Sequence, residues 1–372
     1  MSTVFRTDDA AKLRVAYLGC GPGTSSCVTY SMAYAPIKPQ IKIWAAPDHR
    51  KDYNTFKAAG RIKSVGIYNS EVAPMFCDDL SDAVTDAKYI IVTIPAEGVF
   101  SLIDTFSRLD WGDKIVILID CFYLYPILRD LFAGARVLMA NSLPFGTRME
   151  GSAVNIFFEK AVLQIGGSPI PTSTQEEVAS LFLPRLEWCM DALHCALSAK
   201  NDVVHAGPSL LISGSIGRLG PDFRFYKDAI GSAAGVKLVL KLDEEKRRVV
   251  EALGYPAEDF IPWFNRIYAT EHPDFETFAR ESRTHNMHPF APTSLRHRFI
   301  ASDIQHGIVP LIKLAKIAGV EVPAFTLVAV LAGYITGVDF FACETTVAAL
   351  GLTPGASTVN DILCAFDATH RV

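Results

Sequence analysis

The sequence predicts an α/β N-terminal domain of the Rossmann type, built on a parallel sheet, followed by an all-α C-terminal domain. Short apolar runs alternate with helical patterns in the first half of the chain, whereas long helical patterns dominate beyond about residue 197. The first apolar run also ends in three closely spaced glycines, which is typical of the first strand of a nucleotide-binding unit. We place the dinucleotide-binding domain at residues 1–197 and the helical substrate domain at residues 198–372.

The glycine-rich junction follows the predicted strand 13–18. It reads Gly19-Cys20-Gly21-Pro22-Gly23 and precedes a helix-compatible run at 25–33. Glycines permit a tight turn and a close approach of the backbone to a pyrophosphate, whose charge then faces the N–H groups of the helix start. The context favours a cofactor site over an ordinary glycine turn. We assign cofactor binding to Gly19, Gly21, Pro22, Gly23, Thr24, Arg50, Pro95 and Ala96.

The remaining elements follow from apolar runs and from helix start and stop signals. Further strands are predicted at 41–44, 89–94, 114–119, 136–139 and 161–165. A capping box of Thr174 and Glu177 predicts a helix that runs towards Glu187. The helical domain has a predicted polar-faced helix at 243–250 and another at 304–318, and the apolar run 324–342 favours a buried helix over a membrane span.

Composition and charge limit the possible partners. The chain has 372 residues, enough for two domains, and a net charge of −5 that argues against nucleic-acid binding. Its eight cysteines include no Cys-x-x-Cys pair, and the histidines His285, His288 and His297 are assigned no metal. Without a secretory segment at the N-terminus, we expect a cytoplasmic protein that binds small molecules, no membrane and no metal, as a homodimer.

The end of the second predicted strand bears on the choice of cofactor. An acidic residue there would bind a ribose hydroxyl of NAD, whereas a nearby arginine accommodates the 2′-phosphate of NADP. Here alanines occupy the acidic position, and His49, Arg50 and Lys51 follow within a few residues. The sequence therefore favours NADP, while Asp48 keeps NAD possible.

Several segments of both predicted domains share the pattern of one enzyme family. The junction 19–23 has the offset third glycine of a Gly-x-Gly-Asn-Gly loop, and residues 298–307 are similar to the block Arg-Tyr-Leu-x-Glu-Asp-x-x-x-Gly. Shorter similar segments lie at 93–96, 142–148, 225–226 and 359–363. On these motifs the chain resembles the octopine/nopaline (opine) dehydrogenases over nearly its whole length, at low identity.

The resemblance implies NAD(P)H-dependent condensation of an amino acid or another amine with an α-keto acid, followed by reduction of the imine. It implies His205 as the catalytic histidine, Asp303 as its partner and Arg298 as the group that holds the keto-acid carboxylate. We place Phe122, Thr147 and Tyr226 beside Arg298 in substrate binding. A carboxylate next to an imidazole orients the ring and raises its pKa, so that it can act as an acid near neutral pH.

The chain also departs from the family pattern. Ala206 follows the histidine where the family has proline, and Ser302 replaces the glutamate before the aspartate. The segment 120–126 is aromatic instead of Gly/Asn/Gln-rich, which indicates a rebuilt amine-donor pocket. Two alternatives stay open: a hydroxyacid or ketone reductase of the 6-phosphogluconate/glycerol-3-phosphate dehydrogenase-like type with Lys200 as its acid/base, and a non-catalytic NADP-binding sensor.

Overall fold

The computed structural model describes residues 13–182, 184–287, 291–344 and 346–368, which form two compact units. The first unit comprises the described residues up to Cys121 together with Arg129–Cys189. The second comprises Phe122–Leu128 and the described residues from Met190 onward. Residues 122–128, which the sequence interpretation kept within the first domain, thus pack with the second unit. The domain limits drawn from the sequence stay a prediction.

The strands all lie in the first unit. In chain order they are β1 (Arg14–Leu18), β2 (Gln40–Trp44), β3 (Ile62–Gly66), β4 (Ser70–Val72), β5 (Met75–Phe76), β6 (Tyr89–Val92), β7 (Ile115–Ile119), β8 (Arg136–Ala140), β9 (Phe145–Glu150), β10 (Ala153–Glu159), β11 (Val162–Gly167) and β12 (Arg185–Trp188). Eight of them form one sheet in the order β12-β11-β8-β7-β6-β1-β2-β5. Its neighbours run parallel except β8 and β11. The predicted α/β fold is confirmed, with one antiparallel pair that the sequence did not predict.

A second sheet has no counterpart among the predicted strands. Its four strands lie in the order β4-β3-β10-β9, and β3 pairs in parallel with β10 from a distant part of the chain. Helix α1 (Pro22–Ala33) contacts these strands. The strands are only partly buried, so their sequences lack the continuous apolar runs that reveal the central strands.

The other helices of the first unit are short. They are α2 (Lys51–Ala59), α3 (Leu80–Val84), α4 (Ala96–Phe100), α5 (Ile103–Phe106), α6 (Tyr125–Leu131), which spans both units, and α7 (Thr172–Ser180). The predicted capping box is wrong, because α7 begins at Thr172, directly after Pro171. Thr174 therefore lies inside the first turn and does not cap the helix. The carboxylate of Glu177 instead accepts hydrogen bonds from Lys88 and Tyr89. The predicted continuation to Glu187 is also wrong, since that residue lies in β12.

The described part of the second unit is helical, as predicted. Its α-helices are α8 (Ala192–Ser198), α9 (Asn201–Val204), α10 (Ala206–Leu211), α11 (Ala233–Ala252), α12 (Phe260–Tyr268), α13 (Phe275–Glu281), α14 (Arg283–Asn286), α15 (Val309–Ile317), α16 (Pro323–Thr336), α17 (Phe340–Cys343), α18 (Thr346–Ala349) and α19 (Val359–Ala365). Two π-helices, Phe225–Ile230 and Asp303–Ile308, interrupt this pattern. The helix predicted at 243–250 is part of α11, and Glu244 and Arg248 of its polar face are exposed. Asp243, Glu245 and Lys246 are instead buried against specific partners.

Most of the apolar run at 324–342 forms α16, which ends at Gly337 with a φ of 74°. The prediction of a buried helix is wrong for one side of α16, where Leu327 and Tyr334 are exposed. Within the described ranges, no single helix has the length and hydropathy needed to cross a membrane. Helix α16 meets those criteria only together with Phe340–Ala349, beyond a bend of 104°.

Candidate active site

Three neighbouring strands of the large sheet end at the same edge. Leu18 of β1 pairs with Trp44 of β2 on one side and with Val92 of β6 on the other. The glycine-rich junction, the turn into α2 and the turn into α4 therefore lie beside one another. The carboxyl edge of a parallel sheet is where α/β proteins bind nucleotides.

The turn after β1 is fixed by contacts that require glycine. Gly19 has a φ of 122°, and a Cβ on it would lie 2.5 Å from Thr93 Oγ1. The hydroxyls of Thr24 and Thr93 are hydrogen-bonded at 2.6 Å, and Thr93 Oγ1 also donates to the carbonyl of Leu18. A Cβ on Gly23 would come within 2.8 Å of the side chain of Leu143. These contacts tie the start of α1 to the end of β6.

The N-terminus of α1 suits the phosphates of a dinucleotide. Gly21 caps the helix without a side-chain hydrogen bond, Pro22 begins it, and its first turn holds no acidic residue. A Cβ on Gly21 would meet nothing within 4 Å, so the backbone is open to a close approach there. N–H groups without partners and the positive end of the helix dipole favour an anion. Pro95 and Ala96 open α4 at the neighbouring strand end.

Arg50 lies at the same sheet edge, after β2, in contact with protein groups. Its Nε donates to the carbonyl of Ala45 at 3.1 Å, and its Nη2 donates to the carbonyl of Asp78 at 2.7 Å. The guanidinium also lies 5.3 Å from the ring centroid of Tyr53. The arginine is thereby held beside the position where the sequence has alanine instead of an acidic residue. Its role in cofactor binding stays a prediction.

In the second unit, the structure pairs His205 with Asp303, which is 98 residues away in the sequence. The distance from His205 Nδ1 to Asp303 Oδ2 is 2.7 Å, and both residues are buried. A carboxylate only accepts hydrogen bonds, so Nδ1 carries the proton and Nε2 keeps its lone pair. The backbone is held as well, because Ser209 donates to the carbonyl of His205 through both N–H and Oγ.

Burial dominates the protonation of His205. Removal from water is the largest influence and lowers the pKa of the imidazole from its ordinary value of 6.5, while the hydrogen bond and charge of Asp303 raise it. The positive charge of Arg298 lowers it further. Asp303 raises the pKa of the imidazole, as expected, but burial outweighs this effect, so the net pKa lies below the ordinary value instead of above it. His205 is neutral near pH 7 and offers an unprotonated Nε2.

Two π-helices carry predicted site residues. Asp303 begins the π-helix Asp303–Ile308, and Tyr226 lies in the π-helix Phe225–Ile230. Pro310 follows the first one and lacks the N–H group that an α-helix would require there, which favours the wider turn. π-Helices are rare and occur frequently at functional sites.

Arg298 precedes Asp303 in the same segment. Its carbonyl accepts hydrogen bonds from the N–H groups of Ser302 and Asp303, and its side chain is exposed. The guanidinium carbon lies 5.2 Å from the ring centroid of Phe299. A carboxylate arriving from solution could thus reach the exposed guanidinium.

The three further substrate residues have different positions. Phe122 has a φ of 50°. Its ring packs against Gly307 of the π-helix Asp303–Ile308, 3.3 Å from where a Cβ on that glycine would lie. Tyr226 is buried, which raises its pKa, and its ring centroid lies 4.3 Å from that of His285. Thr147 lies in β9 of the small sheet.

A buried charge network supports the helix that leads to His205, and sequence reasoning missed it. Lys200 Nζ donates to Asp243 Oδ1 at 2.6 Å, and Lys246 Nζ donates to both carboxylate oxygens of Asp202 at 2.7 Å. These four side chains are at most 7% exposed. Asp243 and Lys246 recur along α11 at the same helical spacing as its buried apolar residues. This spacing could have indicated that both lie on the buried face of the helix. Lys200 is thus part of an ion pair.

Within the described ranges, no group of three or more His, Cys, Asp or Glu side chains could hold a metal ion. His285 is buried, and its Nδ1 is hydrogen-bonded to Ser282 Oγ at 2.7 Å. His297 lies beside Phe299. His288, the third member of the histidine group noted in the sequence, lies outside the described residues.

Comparisons with known proteins match much of this chain to one group of enzymes. Residues 188–336 match the family described as NAD/NADP octopine/nopaline dehydrogenase, alpha-helical domain. Vitopine synthase of Allorhizobium ampelinum is 27% identical over 321 residues, which cover 83% of this chain and 87% of the relative.

Solved structures show the same fold over almost the whole chain. Octopine dehydrogenase, solved with NADH and with agmatine, L-arginine or pyruvate, superimposes with TM-scores of 0.70–0.71 at 17% identity and covers 97% of this chain and 99% of its own. Yersinopine dehydrogenase with bound NADP+ has a TM-score of 0.67 at 12% identity, over 96% of this chain and 99% of its own. The family match thus covers the helical domain at residues 188–336, and the likeness in fold to octopine dehydrogenase extends over almost the whole chain.

Proposed function

We propose that this protein is an NAD(P)H-dependent oxidoreductase that joins an amino acid or another amine to an α-keto acid and reduces the resulting imine. The observation that carries the proposal is the buried His205–Asp303 pair, with Arg298 in the same segment of the family's helical domain. The related octopine dehydrogenase binds NADH, an amine or amino acid, and pyruvate, which are the reactant classes that this reaction needs.

The neutral state of His205 suits the first proton transfer. An amino acid carries its amine as an ammonium near pH 7, and only the neutral amine attacks a carbonyl. We assign His205 Nε2 as the base that takes this proton, while Asp303 holds Nδ1–H and stabilises the imidazolium. The amine nitrogen then forms a bond to the keto carbon as the C=O π bond breaks, and one N–H proton moves to the resulting alkoxide oxygen to give a neutral carbinolamine.

The same proton is used again in the next step. The imidazolium returns it to the carbinolamine oxygen, the C–O bond breaks, and water leaves as the protonated imine forms. His205 thus ends neutral, as it began. The Arg298 guanidinium binds the keto-acid carboxylate through paired hydrogen bonds and orients the keto carbon. When bound, the reduced nicotinamide supplies the hydride that converts the imine to a secondary amine.

For the cofactor, we propose a preference for NADP(H). The end of β2 offers Ala45 and Ala46 in place of an acidic residue, and Arg50 is hydrogen-bonded to Ala45 at that position. Yersinopine dehydrogenase, a structural neighbour, binds NADP+. The ratio of kcat/KM for NADPH and NADH measures the preference. We expect Arg50→Ala to lower that ratio, and Lys63→Ala, at an exposed position of β3, to leave it unchanged.

A simple carbonyl reductase with Lys200 as its acid/base is not favoured. The ammonium of Lys200 is buried in an ion pair with Asp243, and the matched relatives are opine-forming enzymes. Oxidation of NADPH with a keto acid alone, then with amines added singly and as a mixture, separates the possibilities. We expect oxidation only with both substrates. Oxidation by the keto acid alone would favour the reductase, and no oxidation with any pairing would favour a sensor.

We also propose that the protein forms a homodimer through α16. Leu327, Val330, Leu331 and Tyr334 are exposed and form one stripe at helical spacing. Residues 324–338 contain no charged side chain. When this stripe packs against the same stripe of a second copy, no charged group is removed from water, so a second copy is the partner that fits the surface. Sedimentation should give a dimer for the wild type and a monomer for Leu327→Glu.

For the cellular compartment, we propose the cytoplasm. All eight cysteines have free thiols in the structure, and five of them are buried, where they pack as small apolar side chains. Free thiols of this kind suit a reducing compartment, which also maintains the supply of reduced nicotinamide.

A further inference from the structure

The ring of Phe299 lies flat against the imidazole of His205. The two ring centroids are 3.8 Å apart, and the planes differ by 14°. Phe299 is only 5% exposed, and it stands between Arg298 and Asp303 in the sequence. One short segment thus supplies the carboxylate-binding arginine, the hydrogen-bond partner of the histidine and a flat apolar surface beneath the imidazole.

The hydrogen bond to Asp303 does not by itself fix the imidazole. A single Nδ1–H···Oδ2 contact still allows coupled changes of χ1 and χ2 that tilt the plane of the ring, and Nε2 then sweeps an arc. A parallel ring in van der Waals contact removes this freedom, because any tilt would open a gap on one side and a clash on the other. The contacts with Asp303 and Phe299 together define where Nε2 points.

Phe299 is itself held by several side chains. The fully buried Phe225, from the π-helix Phe225–Ile230, lies 5.4 Å away between ring centroids. The ring of His297 meets Phe299 edge-on at 4.6 Å and 80°. The guanidinium of Arg298 lies over the ring. The stacking surface is therefore a fixed part of the helical unit.

We propose that Phe299 is a positioning residue that holds the plane of the His205 imidazole and thereby aims Nε2 during proton transfer. This role rests on the function proposed above for His205. Asp303, Asp202 and Arg298 are the charged groups that act on His205. The face of an aromatic ring adds a further influence, since it favours the cationic imidazole that forms when the amine is deprotonated.

Two variants separate the aromatic surface from simple filling of space. Phe299→Leu keeps an apolar side chain but removes the flat ring, whereas Phe299→Tyr keeps the ring and serves as the matched control. We expect kcat of Phe299→Leu to fall about 10- to 100-fold, since small misplacements of a catalytic group cost about this much. The Kd of the cofactor should change less than about twofold, because the glycine-rich turn is not altered.

A measurement without turnover tests the geometry directly. In 15N-histidine-labelled protein, a stacked ring shifts the carbon-bound imidazole protons of His205 upfield, and a His205→Gln spectrum assigns them. We expect this shift in the wild type and in Phe299→Tyr and its loss in Phe299→Leu, together with a lower pKa of His205 in the pH titration. A purely structural role for Phe299 would reduce the fraction of folded protein and leave this pKa unmoved.

The outcomes for Phe299 and for the proposed reaction are distinguishable. A wild-type kcat in Phe299→Leu, or a kcat equally reduced in Phe299→Tyr, would overturn the positioning role. A wild type with the upfield shift but with no turnover for any pair of substrates would instead overturn the proposed function of the enzyme.

Discussion

The two units form their functional groups in different ways. The first unit offers backbone: a glycine turn, an uncapped helix start and the aligned ends of β1, β2 and β6. The second unit offers side chains, brought together from segments 98 residues apart and fixed by π-helices, buried ion pairs and a ring stack. Backbone sites tolerate changes of side chain and depend on shape, whereas the side-chain site depends on the identity of a few groups.

The largest effect is expected when the imidazole of His205 is removed from the side-chain site of the second unit. We expect His205→Ala to lower kcat by about 10²- to 10⁴-fold, because proton transfer by a positioned group contributes this much. Cofactor affinity should remain, since the glycine-rich turn belongs to the first unit. Rapid-mixing kinetics and a fluorescence titration with NADPH measure the two quantities. A fully active variant would remove His205 from the mechanism.

Removal of the carboxylate-binding group comes next. Arg298→Ala should raise the KM for the keto acid roughly 10- to 150-fold, because a hydrogen-bonded charge pair with the substrate is lost. Arg298→Lys should be intermediate, since it keeps the charge without the paired geometry. The exposed Arg296 lies two residues away, and Arg296→Ala is the matched control. An unchanged KM in Arg298→Ala would contradict the carboxylate-binding role.

The pH dependence tests the neutral state of His205. Burial lowers its pKa below 6.5, and in the proposed reaction the neutral form accepts the ammonium proton. Thus kcat/KM for the amine should be flat down to pH 6.5 as far as His205 is concerned, then fall about tenfold per pH unit below its pKa. Profiles of kcat/KM against pH, measured with saturating cofactor, show this limb. A His205 limb above about pH 7 would contradict the neutral assignment.

Two glycine variants test the backbone site. A Cβ on Gly21 meets nothing, so Gly21→Ala should keep the stability of the protein and lower cofactor affinity about tenfold through contact with the pyrophosphate. Gly19→Ala should lower both quantities, because its φ of 122° and the contact with Thr93 add about 1–3 kcal/mol of strain. Urea unfolding and cofactor titration separate these effects. Wild-type cofactor affinity in Gly21→Ala would show that the cofactor phosphates do not bind beside Gly21.

The smallest expected change concerns Lys200. In Lys200→Met, Asp243 keeps its hydrogen bond from Arg247 at 3.0 Å, so the stability should fall by about 3 kcal/mol or less. The kcat per cofactor-binding site should stay within about threefold of the wild type, since Lys200 is assigned no proton transfer. A hundredfold loss of kcat in a folded variant would revive the reductase alternative.

How much of each unit can be predicted from the sequence depends on whether its features are local in the chain. The strands β1, β2, β6 and β7 and the glycine-rich turn are local patterns, and they were predicted to within a few residues. The small sheet was missed because β3 pairs with β10 from far along the chain. The start of α7 was misplaced because Pro171 initiates the helix and Glu177 binds Lys88 and Tyr89 instead of its own helix start.

In the second unit, only the family resemblance pointed to His205, Asp303 and Arg298. Nothing local to His205 or Asp303 predicts that the imidazole and the carboxylate meet, and the net effect of burial on the pKa of His205 depends on the packed structure. The buried pairs of Lys200 and Lys246 were also hidden, because charged residues on a helix are usually solvent-facing.

The most direct test of the proposed reaction follows the fate of the hydride. NADPH carrying deuterium at the transferable position, a keto acid and an amine mixture would be incubated with the protein, and the products analysed by mass spectrometry. We expect a secondary amine with one deuterium on the former keto carbon, formed only when the amine is present and not formed by His205→Ala. A deuterated hydroxy acid as the only product, with or without the amine, would contradict the proposed imine reduction.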